Sequence, residues 1–178
     1  AVSDGDLIDL GAGIELSVVH CPGHTPGHVA YYWGTEGYLF TADCVQGQGG
    51  KSGDYPYYFN AGDYRRSLMK LARLDIHALC LGHAFMGGAL VNAPIRRGVD
   101  ASAFLHASMD AADAFHRAVS EAMRRMPQAS KREVAAAALD ELIYEIPQLR
   151  VRSTGMPMLS GATLVAHMEA VRTGDYPL

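Results

Sequence analysis

Three of the eight histidines in this 178-residue chain fall within nine positions, His20, His24 and His28 in the run HCPGHTPGH. Imidazoles this dense, in a stretch broken by Pro and Gly, are suited to holding a metal. Neutral imidazole is a good nitrogen donor, and glycine lets the backbone approach an ion closely. Donors of fitting type recur in Thr41-Ala42-Asp43 and in Gly82-His83. Two imidazoles and a carboxylate suit zinc, and also iron or manganese. Each residue alone has a plainer explanation, since an Asp after a strand caps a turn and a lone His finds a hydrogen-bond partner. The candidate ligands are therefore His24, Asp43 and His83 taken together, with the Thr25 hydroxyl beside them. His28 is expected to pack near the loop rather than bind the ion.

These residues must be positioned by the elements around them. Ile14–His20, Val29–Trp33, Tyr38–Thr41 and Ala78–Leu81 are rich in β-branched and aromatic residues and read as strands. GTEG at 34–37 joins the second and third as a hairpin. Tyr64, Leu68 and Leu71 recur at helical spacing, with Asp63 available as N-cap. If the first strand runs upward, the His loop lies at the top. The third strand then climbs to Asp43, a helix returns the chain, and the fourth climbs to His83. Strand parity alone gathers all three candidates on one edge.

From about residue 99 the spacing becomes helical. Asp100 is available to cap a long segment with Phe104, Met109, Ala112, Phe115, Val119 and Met126 at helical positions. Ser130 and Glu133 form a capping-box pair, Pro147 is the expected stop, and a last short helix is expected through Leu164, Met168 and Val171 to Gly174. Two regions are expected, 1–95 and 96–178. The formal charge of −4 argues against a nucleic-acid partner, and the excess of nine acidic over five basic residues lies in 1–95. No apolar run reaches the ~20 residues that span a bilayer. Three cysteines without C-x-x-C spacing suit reduced thiols in a cytoplasmic protein, with Cys80 read as a small core residue. The loop at 46–60 offers Tyr57 and Tyr58 to a substrate pocket, although its aromatics equally suit core cover. Arg65 and Arg66 are available to an anionic group, with solvated surface as the plainer reading.

The run VVHCPGHTPGHVAYYW, followed by YLFTADCVQG and LCLGHA, resembles the second half of the metallo-β-lactamase superfamily fold. The resemblance covers roughly residues 1–92, and SDGDLIDLGAGIEL is similar to the strand pair ahead of the family's His loop. It implies an α/β fold, the second half of an αββα sandwich, followed by a helical C-terminal extension. It also implies two metal ions, zinc foremost, with His24 on one, His83 on the other and Asp43 bridging them. The implied activity is hydrolysis of a thioester or other small ester-like substrate by a metal-bound hydroxide, as in relatives of glyoxalase II type. Ala42 stands where the family commonly has glycine. The family's first metal signature, H-x-H-x-D-H, has no counterpart here. The chain is thus expected to be inactive alone and completed by the N-terminal half of the same fold or by a partner chain. Tails of this kind also make dimer contacts in relatives, so a homo-oligomer is a further expectation. Rival readings are a phosphodiesterase or ribonuclease, a persulfide oxygenase, or a non-catalytic binding fragment.

Overall fold

A computed structural model describes residues 1–50, 55–87, 93–146 and 158–177. In chain order the elements are β1 (Leu7–Gly11), β2 (Ile14–His20), β3 (Val29–Trp33), β4 (Tyr38–Ala42), α1 (Ala61–Leu71), β5 (Ala78–Leu81), β6 (Ile95–Arg97), α2 (Val99–Arg125), α3 (Lys131–Glu145) and α4 (Met158–Thr173). The six strands form one sheet in chain order. Every neighbouring pair is antiparallel except β4 with β5, which α1 connects as a crossover. β2, β4 and β5 therefore point the same way, and their C-terminal ends share one edge.

Alternation along the strands divides the residues between two faces. Tyr32, Leu39, Leu79 and Arg96 lie in register across four strands and face the helices. Here Val19, Leu39 and Leu79 meet Tyr58, Tyr64, Leu68 and Phe104 in the main core. Full burial of a side chain such as Leu39 or Phe104 contributes about 2 kcal/mol. A second core, with Phe115, Val119, Leu142 and Leu164, joins α2, α3 and α4. The opposite row, Tyr31, Phe40, Cys80 and Ile95, lies on the other face, where no helix packs among the described residues. Phe40 is 39% exposed there and Ile95 48%.

Several local details differ from expectation. Asn60, not Asp63, caps α1, its side chain accepting the Asp63 N–H at 2.9 Å. Asp63 sits inside the first turn, where its charge meets the positive end of the helix. α2 starts at Val99 without a side-chain cap, and Asp100 lies in its first turn. The Ser130–Glu133 capping box is present. α3 ends at Glu145, and Pro147 lies outside the described residues. Gly174, at φ 71, follows the last turn of α4. β6 was not anticipated and lies across residue 95. Its sequence Ile-Arg-Arg reads as polar surface, but Arg96 is buried, with its guanidinium 4.7 Å from the Phe104 ring centroid.

Cys21 and Cys44 are buried whereas Cys80 is partly exposed, the reverse of the emphasis drawn from the ALCLG setting. Burial raises the Cys44 thiol well above its ordinary pKa, with the adjoining Cys21 thiol adding to the effect. Arg65 is not available to substrate, because it makes a two-point ion pair with Asp113 on α2 at 2.8 and 3.1 Å. Arg66 joins Asp63 to Asp175 beyond α4. Both arginines fasten α1 to later parts of the chain. Among the described residues no helix is long and apolar enough to cross a membrane.

Candidate metal centre

The shared edge brings His24, Asp43 and His83 together. His24 Nε2 is 3.9 Å from Asp43 Oδ2, and His83 Nε2 is 3.5 Å from Asp43 Oδ1. The imidazoles thus face different oxygens of one carboxylate. Two nitrogen or oxygen donors on a tetrahedral zinc stand about 3.3 Å apart, given bonds of about 2.05 Å. The side chains therefore form two pairs hinged on Asp43. Among the described residues no group of three or more such donors converges on a single ion position. Each pair offers two donors, fewer than the roughly four that a zinc ion takes.

One atom tests whether a cation fits. Asp43 Oδ1 is buried and has no hydrogen-bond partner among the described residues. An unsatisfied buried acceptor costs about 1–3 kcal/mol, and more when charged. A cation between Oδ1 and His83 Nε2 would remove that cost, so the donor set and its polarity fit zinc or a similar ion.

The hinge is built by backbone geometry. Ala42, the residue before Asp43, has φ 44, in the left-handed region. The β4–β5 register shifts between Phe40 and Ala42, so the strand kinks and turns Asp43 toward the edge. A side chain in this conformation costs about 1 kcal/mol relative to glycine. Ala42→Gly is accordingly expected to stabilise the protein by about 1 kcal/mol, seen as a higher urea midpoint with an unchanged denaturant slope. Gly82 leaves room for the carboxylate, since a Cβ there would lie 2.9 Å from Asp43 Oδ1.

The His loop rests on the N-terminus of α1. The Gly23 carbonyl accepts the N–H groups of Phe59 and Asn60 at 2.9 and 3.1 Å, and the Ser67 hydroxyl donates to the Pro22 carbonyl at 2.7 Å. His24 is 18% exposed and His83 69%, so one imidazole is set in the loop and the other stands open on the rim.

His24 Nδ1 lies 2.6 Å from the Tyr57 carbonyl, which can only accept, so Nδ1 carries the proton and Nε2 keeps its lone pair toward Asp43. Gln46 Nε2 is also 3.3 Å from Nδ1. Its two protons are already given to the carbonyls of Asp43 and Tyr57, at 2.8 and 2.7 Å, so this approach is a contact rather than a third hydrogen bond. Gln46 Oε1 accepts the Tyr57 N–H at 2.6 Å. Sequence reasoning missed Gln46, and its setting in QGQGG gives no signal, because its partners are backbone atoms that only the fold brings near.

The other candidates are placed as follows. His28 packs edge-on against His24, with ring centroids 5.4 Å apart, and its Nε2 lies 3.3 Å from the Thr41 carbonyl. Desolvation lowers its pKa, favouring the neutral ring. The Tyr57 ring stands 5.6 Å from that of His24 and 5.1 Å from that of Phe59, which is 56% exposed. Tyr58 is a correction. It is fully buried, stacked on Tyr64 at 4.1 Å and 2.7 Å from His167 Nε2, so its side chain belongs to the core and not to a substrate surface.

Comparison with known proteins agrees with this architecture. The sequence model of the Metallo-beta-lactamase superfamily matches residues 1–83. A hydroxyacylglutathione hydrolase of Halorhodospira halophila is 36% identical over 86 residues, 47% of this chain and 31% of that protein. One from Methylobacillus flagellatus is 38% identical over 87 residues, 47% of this chain and 32% of its own length. The chain thus spans about a third of the length of these relatives. A beta-lactamase domain protein from Burkholderia ambifaria superposes with a TM-score of 0.62 at 17% identity, over 97% of this chain and 46% of that one. A metallo-beta-lactamase family protein from Thermus thermophilus gives 0.58 at 22% identity, over 97% and 48%. The likeness in fold therefore extends through the helical tail, beyond the segment matched in sequence. Residues 1–83 thus resemble the metallo-beta-lactamase superfamily in sequence, and the whole described chain resembles its members in fold.

Proposed function

We propose that this chain supplies half of a two-zinc hydrolytic centre acting on a thioester or other small ester-like substrate. Asp43 would be held in common by the two ions, with His24 as a further ligand of one and His83 of the other. The observation that carries this reading is the pairing of two imidazoles with separate oxygens of Asp43, of which Oδ1 is buried and without a hydrogen-bond partner among the described residues. Zinc bound there supplies Lewis acidity and brings the pKa of water down to about 7.

The chain's own residues do the rest. The Tyr57 carbonyl holds the His24 proton on Nδ1, leaving Nε2 free to bind. Tyr57 and Phe59 form an aromatic ledge beside the edge, suited to the apolar part of a substrate. A thioester is favoured because the curated relatives are named as hydrolases of hydroxyacylglutathione, an acylated thiol. Each ion receives two donors from this chain and wants about four. The remainder, and cover for the sheet face bearing Phe40 and Ile95, are assigned to an N-terminal half carrying H-x-H-x-D-H.

The test is to measure zinc content and thioester turnover for the chain alone and joined to such a half. Two zinc ions and turnover are expected only in the joined protein. A zinc-loaded joined protein that cleaves RNA and leaves thioesters intact would overturn the substrate class.

A further inference from the structure

The carbonyl that sets the His24 ring is itself held from behind by α4. Thr163 is fully buried, and its hydroxyl donates to the Pro56 carbonyl at 2.6 Å and accepts the Tyr58 N–H at 3.3 Å. His167, one turn further along the same face of α4, is also fully buried and lies 2.7 Å from the Tyr58 hydroxyl through Nε2. The Tyr58 N–H and the Tyr57 carbonyl belong to one peptide unit. In a trans peptide these groups point in opposite directions. With the N–H fixed on Thr163, the carbonyl is aimed away from α4 and onto His24 Nδ1.

The other side is closed by Gln46, which accepts the Tyr57 N–H and donates to the Tyr57 carbonyl. It is tied to the same cluster, because the Tyr64 hydroxyl accepts the Gln46 N–H at 3.1 Å while the Tyr64 ring stacks on Tyr58. Burial keeps His167 neutral, its pKa well below the ordinary value. It therefore adds no buried charge beside the tyrosines.

From this geometry we infer that α4 is a positioning element of the metal edge, with Thr163 directly and His167 through Tyr58 setting the tautomer and direction of His24. The inference rests on the reading of His24 as a ligand given above. It assigns the tail a task more than 100 residues in sequence from the imidazole it controls, through contacts that span 105 and 109 positions.

The test uses the 178-residue chain, ¹⁵N-labelled and free of metal, with the His24 ring nitrogens observed by NMR at pH 8. It is followed by titration with Zn²⁺ alone. In the wild type the Nδ1–H form predominates. Thr163→Val is expected to raise the Nε2–H form and weaken zinc affinity about tenfold. Thr163→Ser, which restores the hydroxyl, is expected to recover both. If Thr163→Val loses its dispersed amide spectrum, Tyr58→Phe carries the same two readouts. It keeps the ring on Tyr64 and removes only the hydroxyl facing His167. A folded variant with wild-type tautomer and wild-type affinity overturns the inference. Asp43→Ala separates the two failures. If it loses zinc while the Thr163 variant keeps it, only the role of α4 falls; if it binds zinc as before, the ligand assignment falls as well.

Discussion

Asp43→Ala is expected to lower the zinc affinity of this chain by more than about 100-fold and to abolish turnover in the completed protein. Both proposed half-sites are hinged on the one carboxylate, so a single truncation removes a donor from each. Calorimetric zinc titration checks the first effect, and thioester hydrolysis at saturating substrate the second. A companion effect has the opposite sign. Metal-free Asp43→Ala no longer buries an oxygen that lacks a partner among the described residues, so its urea midpoint is expected to hold or rise by the equivalent of about 1 kcal/mol. Loss of zinc with gain of stability would separate a functional carboxylate from a structural one, whose removal lowers both. Zinc affinity left near the wild-type value would sink the bridging assignment.

The second large effect is expected at Gly23, where two costs add. Its φ of +133 lies in a region side chains rarely adopt, and a Cβ there would come within 2.4 Å of the Tyr64 Cα. That neighbour is backbone in the first turns of α1 and cannot swing aside as a flexible side chain could. Gly23→Ala is therefore expected to destabilise the protein by about 3 kcal/mol or more. It also pushes the His loop off α1, breaking the bonds from Phe59 and Asn60 to the Gly23 carbonyl. Thermal unfolding and zinc titration would both register it, and a variant with unchanged melting temperature would contradict the close docking described here.

The parts of this arrangement legible in the sequence are those that depend on parity and residue type. β-Branched and aromatic residues in IELSVVH, VAYYW and YLFT mark the strands, and the number of reversals between them places His24, Asp43 and His83 on one edge. The capping box at Ser130 is legible because both its members are local. What escaped depends on distant contacts. Gln46 acts on backbone atoms 11 residues away, and Thr163 and His167 act on a segment more than 100 residues earlier. In the chain His167 is one more histidine in a helical tail. β6 escaped because burial of Arg96 under Phe104 contradicts the usual meaning of an arginine. Asp63 and Asp100 are plausible caps displaced by one or more residues, the ordinary uncertainty of helix ends.

The sheet order follows the chain order without exception. A polypeptide leaving the ribosome can thus add each strand to the one just made, with little delay from loop closure. His24, Asp43 and His83 become neighbours as soon as β5 pairs with β4. The Pro56–Tyr58 segment, however, has its Thr163 and His167 contacts only after residues 158–173 have emerged. The peptide unit beside His24 therefore lacks its Thr163 anchor until the last helix has been made and has docked.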